Sequence, residues 1–302
     1  MQIARATSAF VVLAITIAGC ATRDAAPASD EAKPMTTLSL AELVGRVNAN
    51  NAKIPSLWAK GTFEAVLRET PQDAGNFLNG EVYVQHLKPD RLSLKAEKDL
   101  LGDLFELGTD GTRLWLRVPR ENVIYTGTAD RLDPRKTGGL PIRPDLILQV
   151  LAVNLLPSEF LRFPAPLLRI NPDARLHLVS LVEPAVLGEP RLKVAREVWY
   201  DVASEDAVPL PTRVILNDDD GRPVLAATLE NHRPIGDGPD APLVATRLLL
   251  FFPQTGGKLR LDLDLLMFDM KPRRGPTVPN EATFRFDPSR YPETVVDLDF
   301  DN

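Results

Sequence analysis

The sequence predicts a mainly β protein of the α+β class, its strands joined in an antiparallel meander. Three observations predict it. Apolar and polar residues alternate over run after run of the 302-residue chain, the period of a strand with one buried face. The links between runs are short and carry Pro-Asp, Leu-Gly and Asp-Gly pairs, which suit tight turns. Proline is frequent, at 27 residues, and sits poorly in helices but well in strands and loops.

The N-terminal segment reads as a targeting signal. Arg5 precedes an apolar run from Ala9 to Ala18, followed by Gly19 and Cys20. A positive start, a short apolar core and small residues at the cut describe an export signal, and the run is far short of the roughly 20 residues that span a bilayer. The ending Ile17-Ala18-Gly19-Cys20 resembles the bacterial lipobox, which implies cleavage before Cys20 and covalent lipid on it. Cys20 is the one cysteine, so no intramolecular disulfide forms and no Cys-rich metal site exists. Ala21 to Thr37 is polar and rich in Ala, Pro and Ser, too poor in apolar residues to offset chain entropy. The expected organisation is a signal over 1–19, a lipidated cysteine and flexible tether over 20–37, and a folded domain over 38–302. Alanine at position 21 fits, by resemblance to enterobacterial lipoproteins, an outer-membrane destination.

Ser39-Leu40-Ala41-Glu42 is a capping-box pattern, and Leu40, Leu43, Val44 and Val47 recur at helical spacing. A helix is expected from Leu40 to Asn50, with Pro55 limiting its extension. Period-two runs follow: LWAKGTFEAVLR, FLNGEVYVQ, DRLSLKAE, DLFELGT and TRLWLRVP, then a short strand around Asn122 to Tyr125. A charged Pro/Gly loop from Arg131 to Gly139 breaks the pattern. A nearly all-apolar helix is expected from Pro144 to Asn154, and a helix so apolar must be covered by protein or lie against something greasy. Strands resume with RLHLVSLVE, RLKVAREVWYDV, PTRVILND, VLAATLENH, LVATRLLLFF and KLRLDLDLLMF, and the end, ATFRFDP…TVVDLDF, reads as one short strand and a tail.

Composition and motifs narrow the function. A formal charge of −6 and pI near 5.3 argue against a nucleic-acid partner. His86, His177 and His232 lack metal-ligand spacing, and no G-x-S-x-G elbow or phosphate loop occurs. Asp262 and Asp264 alternate with leucines as a solvated strand face, and Asp218-Asp219-Asp220-Gly221 reads as a hairpin turn rather than a calcium loop. No catalytic residue, metal or cofactor is expected beyond the lipid on Cys20. What stands out is apolar surplus. In LVATRLLLFF, Leu249 and Phe251 fall on one face and Leu248, Leu250 and Phe252 on the other. Either the second helix plugs the sheet as ordinary core, or it covers a greasy concavity suited to acyl chains. Leu146, Val150, Leu249 and Phe251 are the candidate lining. EKDLLGD, between two strands, puts Leu100 and Leu101 in a turn, where polar residues are the rule.

EKDLLGDLFELGTDG, GGLPIRPDLILQVLAVNLLP and LPTRVILNDDDGRPVLAATLENH, in that order, resemble the family of the outer-membrane lipoprotein receptor LolB and, more loosely, its periplasmic carrier LolA. The resemblance runs from Leu38 to His232, and the segment from Leu243 to Phe300 extends beyond it. It implies an incomplete, strongly curved antiparallel barrel with helices over its open mouth and a cavity for lipoprotein acyl chains. It also implies that Leu101, with Leu100, pushes toward the bilayer from a protruding turn; the other reading folds the turn back onto the core. The implied partners are membrane lipid, an acylated lipoprotein or lipid ligand, and a periplasmic carrier protein. The rival reading is a lipoprotein sensor or scaffold that regulates a partner protein.

Cys20→Ser is expected to leave the chain unlipidated and released from membranes by high-salt washing. Retention on washed membranes would place the anchor elsewhere.

Overall fold

The computed structural model describes residues 37–299 except 69, 129–142, 172–175, 185–191, 205, 237 and 268–278. The signal over 1–19, Cys20 and the tether as far as 36 lie outside the described residues. Helix α1 spans Leu40–Ala52 and leads into β1 (Ser56–Leu67), β2 (Asn76–Leu87), β3 (Arg91–Lys98), β4 (Gly102–Thr109), β5 (Leu114–Val118) and β6 (Val123–Gly127). Helix α2 (Pro144–Leu151) precedes β7 (Ala165–Asn171), β8 (Leu176–Pro184), β9 (Leu192–Asp201), β10 (Leu210–Asn217), β11 (Pro223–Pro234), β12 (Leu243–Phe252) and β13 (Gly257–Met267), and β14 (Thr294–Asp297) comes last. All belong to one sheet, ordered β14-β6-β5-β4-β3-β2-β1-β13-β12-β11-β10-β9-β8-β7. Every neighbouring pair is antiparallel except β14 with β6.

The order describes two wings. β1 to β6 run outward in one direction, the chain crosses by α2 to the opposite edge, and β7 to β13 run back to pair with β1. β12 and β13, in the segment that extends beyond the sequence resemblance, are therefore central strands and not an appendage.

The sheet is rolled, and the contacts of α2 require it. α2 packs against β3, β4 and β5, while the Gln149 carbonyl accepts a 2.8 Å hydrogen bond from Arg196 on β9. β3 and β9 are seven strand steps apart, about 34 Å in a flat sheet. α2 is only about 12 Å long. Even with the reach of an arginine, it meets both only if the wings curl toward each other. The result is an open, strongly curved antiparallel sheet, as the resemblance implied, but α2 lies inside its concavity rather than over an open mouth, because its nearly all-apolar surface is buried in the common core.

Local chemistry sets the helix ends. The Ser39 hydroxyl accepts from the Glu42 amide at 3.3 Å, and the Glu42 carboxylate accepts from the Ser39 amide at 2.8 Å, closing the capping box. α2 stops three residues before the expected Asn154, because Ala152 turns left-handed (φ 54°) and Asn51 of α1 donates to the freed carbonyls of Ala152 and Asn154 at 2.9 Å each. Asn48 exchanges two hydrogen bonds with the Leu156 backbone, and Asn50 two with Leu243 at the start of β12. α1 thus closes one end of the curl. Ile147, Leu148, Val150 and Leu151 of α2 are buried in the common core.

Two stretches differ from expectation. β7 has no alternating pattern, because it is an edge strand with exposed Leu167 and Ile170. At the C-terminus Glu281–Phe284 forms a 3-10 turn, and the strand is Thr294–Asp297, paired with β6. ATFRFDP alternates because Phe284 is buried while Phe286 stacks on Trp115 at 5.1 Å, which needs no strand.

Gly61 stands at the β1–β13 seam, where the register shifts between Lys60 and Gly61. A Cβ there would lie 1.9 Å from the Asp262 carbonyl oxygen, and backbone cannot swing aside. Gly61→Ala is expected to lower the unfolding free energy by roughly 3 kcal/mol, measured by urea denaturation.

His86 is fully buried, with Nδ1 donating to the Arg91 carbonyl at 2.8 Å. Burial holds its pKa below the usual 6.5, and His232 shifts the same way for the same reason. The unfolded chain therefore takes up protons first as pH falls through about 6.5, and stability present above that pH is lost below it. Urea midpoints should drop between pH 7.5 and 5.5, and His86→Gln should flatten that drop.

Candidate functional site

The β3–β4 turn is short and rigidly based. The Leu101 amide donates to the Lys98 carbonyl at 3.0 Å, and Asp103 just beyond bridges Lys95 and Arg117 at 2.8 Å each. Leu100 takes a left-handed backbone (φ 67°), as does Gly102 (φ 71°). That conformation is ordinary for glycine but costs a leucine about 1–2 kcal/mol. Both leucines point away from the core, Leu100 at 106% relative exposure and Leu101 at 56%. The turn does not fold back.

The turn stands beside the open mouth of the curl. At the end opposite α1, the β1–β2 loop, the start of β4 and the end of β5 enclose a cavity of about 720 Å³. Its apolar wall is Leu67, Leu78, Leu104, Phe105 and Val118, and Arg68, Asp73, Arg120 and Glu121 stand around it. The wall residues continue the core: Phe105 and Leu104 are buried, and Leu67 and Leu78 are partly buried against it. Further in, α2 fills the concavity.

Not all of the sequence-derived lining comes together. Leu146 and Val150 are buried in the core under the curl. Leu249 and Phe251 are not with them. On β12 the inward residues are Leu248, Leu250 and Phe252, at 1%, 3% and 2% exposure, so Leu249 and Phe251 occupy the outer face. The four do not line one cavity. Both faces of β12 are apolar, so alternation identifies the two sets but not which one faces inward. Sequence reasoning also missed the mouth residues. Leu67, Leu78, Phe105 and Val118 read as core positions, and only their place at the turn end of their strands marks them as a rim.

Asp262 bridges Arg247 and Arg260 at 2.6 Å each on the outer face. Asp218 accepts from the Asp220 and Arg222 amides, a polar hairpin turn closed by Gly221 (φ 75°). Among the described residues no group of three or more His, Cys, Asp or Glu side chains is placed to hold a metal, and no helix is long and apolar enough to cross a membrane.

No family model and no curated protein matches the sequence. Solved structures do resemble the chain. One, described as an outer membrane lipoprotein-sorting protein domain from Vibrio parahaemolyticus, is 14% identical, with a TM-score of 0.49 over 77% of this chain and 93% of that one. A LolA superfamily protein from Nitrosomonas europaea is 12% identical, with a TM-score of 0.47 over 78% and 96%. A DUF1329 family protein from Desulfovibrio piger is 13% identical, with a TM-score of 0.46 over 76% and 91%.

Leu100→Gly relieves the left-handed strain and removes no packed contact. It is expected to raise the unfolding free energy by roughly 0.5–1 kcal/mol, read from the urea midpoint at constant m value.

Proposed function

We propose that the chain is a lipid-anchored envelope protein that takes up the acyl part of a lipid or lipoprotein at this mouth, with Leu100 and Leu101 entering the bilayer during uptake or release. One observation carries the reading: a cavity with an apolar inner wall and a charged rim stands at the same end of the curl as two solvent-facing leucines, one of them on a strained backbone. Burying each leucine in lipid stabilises by roughly 1.5–3 kcal/mol. That is too little to hold the protein on a membrane, but enough to orient one already tethered through Cys20.

No bond is made or broken in this function. A short acyl segment rests against Leu78 and Phe105. A longer one displaces α2, which is held from outside by the Arg196 hydrogen bond to Gln149 and the Asn51 hydrogen bonds to Ala152 and Asn154. Handing cargo on, or receiving it from a periplasmic carrier protein, needs only a small difference between two such cavities. The expected location is the periplasmic side of the outer membrane.

The test is transfer of an acylated cargo into liposomes by the Cys20-tethered protein. Leu100→Glu with Leu101→Glu should keep the fold and the anchor, yet slow transfer by about tenfold or more. Leu78→Glu should weaken uptake of a photoreactive fatty acid without changing anchoring. Equal transfer rates in wild type and double variant would remove the turn from the mechanism. A chain that takes up no acyl probe but holds a partner protein stably would be a scaffold instead.

A further inference from the structure

The outer face at the same end of the sheet carries a second concavity. Register places Phe77, Val66, Lys258 and Phe251 side by side on β2, β1, β13 and β12. The next row on this face runs Glu64, Arg260, Leu249, Thr228 and Arg213. Together they line a groove of about 580 Å³. Its apolar residues are not needed by the core, which Leu248, Leu250 and Phe252 serve from the other face of β12. Phe77 is 63% exposed and Phe251 41%, so the groove leaves large apolar surface in water.

Its charge is one-sided. Arg213, Lys258 and Arg260 line it against a single carboxylate, Glu64. Arg260 is already held by Asp262 at 2.6 Å and Glu64 at 3.9 Å. Arg213 lies 4.9 Å over the Trp199 ring, and among the described residues neither it nor Lys258 has a carboxylate within ion-pair distance. An apolar floor under two uncompensated cations matches a molecule with an apolar chain and an anionic head. A lysine in an apolar row suits that geometry, since its methylene stem lies along the floor while the ammonium reaches out.

We propose that this groove is a binding site for a single-chain anionic amphiphile, its chain lying along Leu249 and Phe251 of β12 and its head drawn by the Lys258 and Arg213 charges that flank that strand on β13 and β10. Phe77 borders both this groove and the inner mouth, so the two apolar surfaces meet at the β2 lip. The site stands whether or not the mouth takes up acyl chains.

The test is photo-labelling of the full chain carrying Cys20→Ser, so that no covalent lipid competes. The probe is dodecyl phosphate with a diazirine on its chain, and labelled residues are mapped by mass spectrometry. Labels on β12 and β13 between 249 and 260 are expected. Unlabelled dodecyl phosphate should compete, while inorganic phosphate and dodecyltrimethylammonium should not. Arg213→Glu with Lys258→Glu, both solvent-facing, should weaken groove labelling by about tenfold and leave labelling of Leu104 and Phe105 unchanged. Phe251→Asp should act the same way through the floor. Labels confined to the mouth would overturn the outer site and leave the mouth reading intact. Groove labelling indifferent to charge reversal, or equal competition by the cationic amphiphile, would also overturn it. So would a dimer in sedimentation that buries this face.

Discussion

The pairing of β1 with β13 is the constraint on which the rest of the structure depends. Each wing is a local meander whose strands pair with sequence neighbours. The seam joins residues about two hundred positions apart, from Trp58 with Met267 to Val66 with Lys258. Closing so long a loop costs only slowly growing entropy, but it demands a close fit between backbones. Gly61 meets that demand where the register shifts, because the Asp262 carbonyl occupies the space a side chain would need. Asn50 reinforces the join from above by bonding both backbone groups of Leu243. Without the seam the wings would not face each other, and α2 would have no concavity to fill.

Given the seam, the two ends of the curl part company. α1 and its asparagines satisfy backbone groups at one end, including carbonyls that α2 frees where it turns at Ala152. At the other end the turns are left open, and the mouth and the Leu100–Leu101 turn are found there. A fully exposed leucine in the left-handed region lowers stability through its backbone strain and contributes nothing to packing. Local strain of this kind persists where the surrounding structure enforces it and is concentrated at functional positions.

The outer face is divided in a similar way. Over the first wing the C-terminal segment lies against the strands. Trp115, Phe286 and Tyr291 stack in sequence, the Arg117 guanidinium lies 4.4 Å over the Tyr291 ring, and Arg117 pairs with Glu293 at 2.7 Å. Arg91 and Arg113 add pairs to Glu281 and Asp297. Around the seam, charged pairs centred on Asp262 hold part of the outer surface, and beside them the apolar row through Phe77 and Phe251 stays open. An open row beside a covered one gives the sheet two apolar surfaces at one end, one inside the curl and one outside.

Much of this was legible in the residues. Capping at Ser39, the alternation of the strands, the turn chemistry at Gly221 and the all-apolar character of α2 are local properties that a chain carries without knowing its fold. The odd pair Leu100 and Leu101 was visible as an anomaly for the same reason. Tertiary structure alone decided which face of an apolar strand looks inward. Leu249 and Phe251 went to the outside because the seam's register, and not their own hydrophobicity, sets the parity of β12. It also decided that β12 and β13 are central, that α2 stops at Leu151 and that the edge strand β7 exists. Each of these depends on a partner far away in sequence, and side-chain periodicity records burial but not the identity of what does the burying.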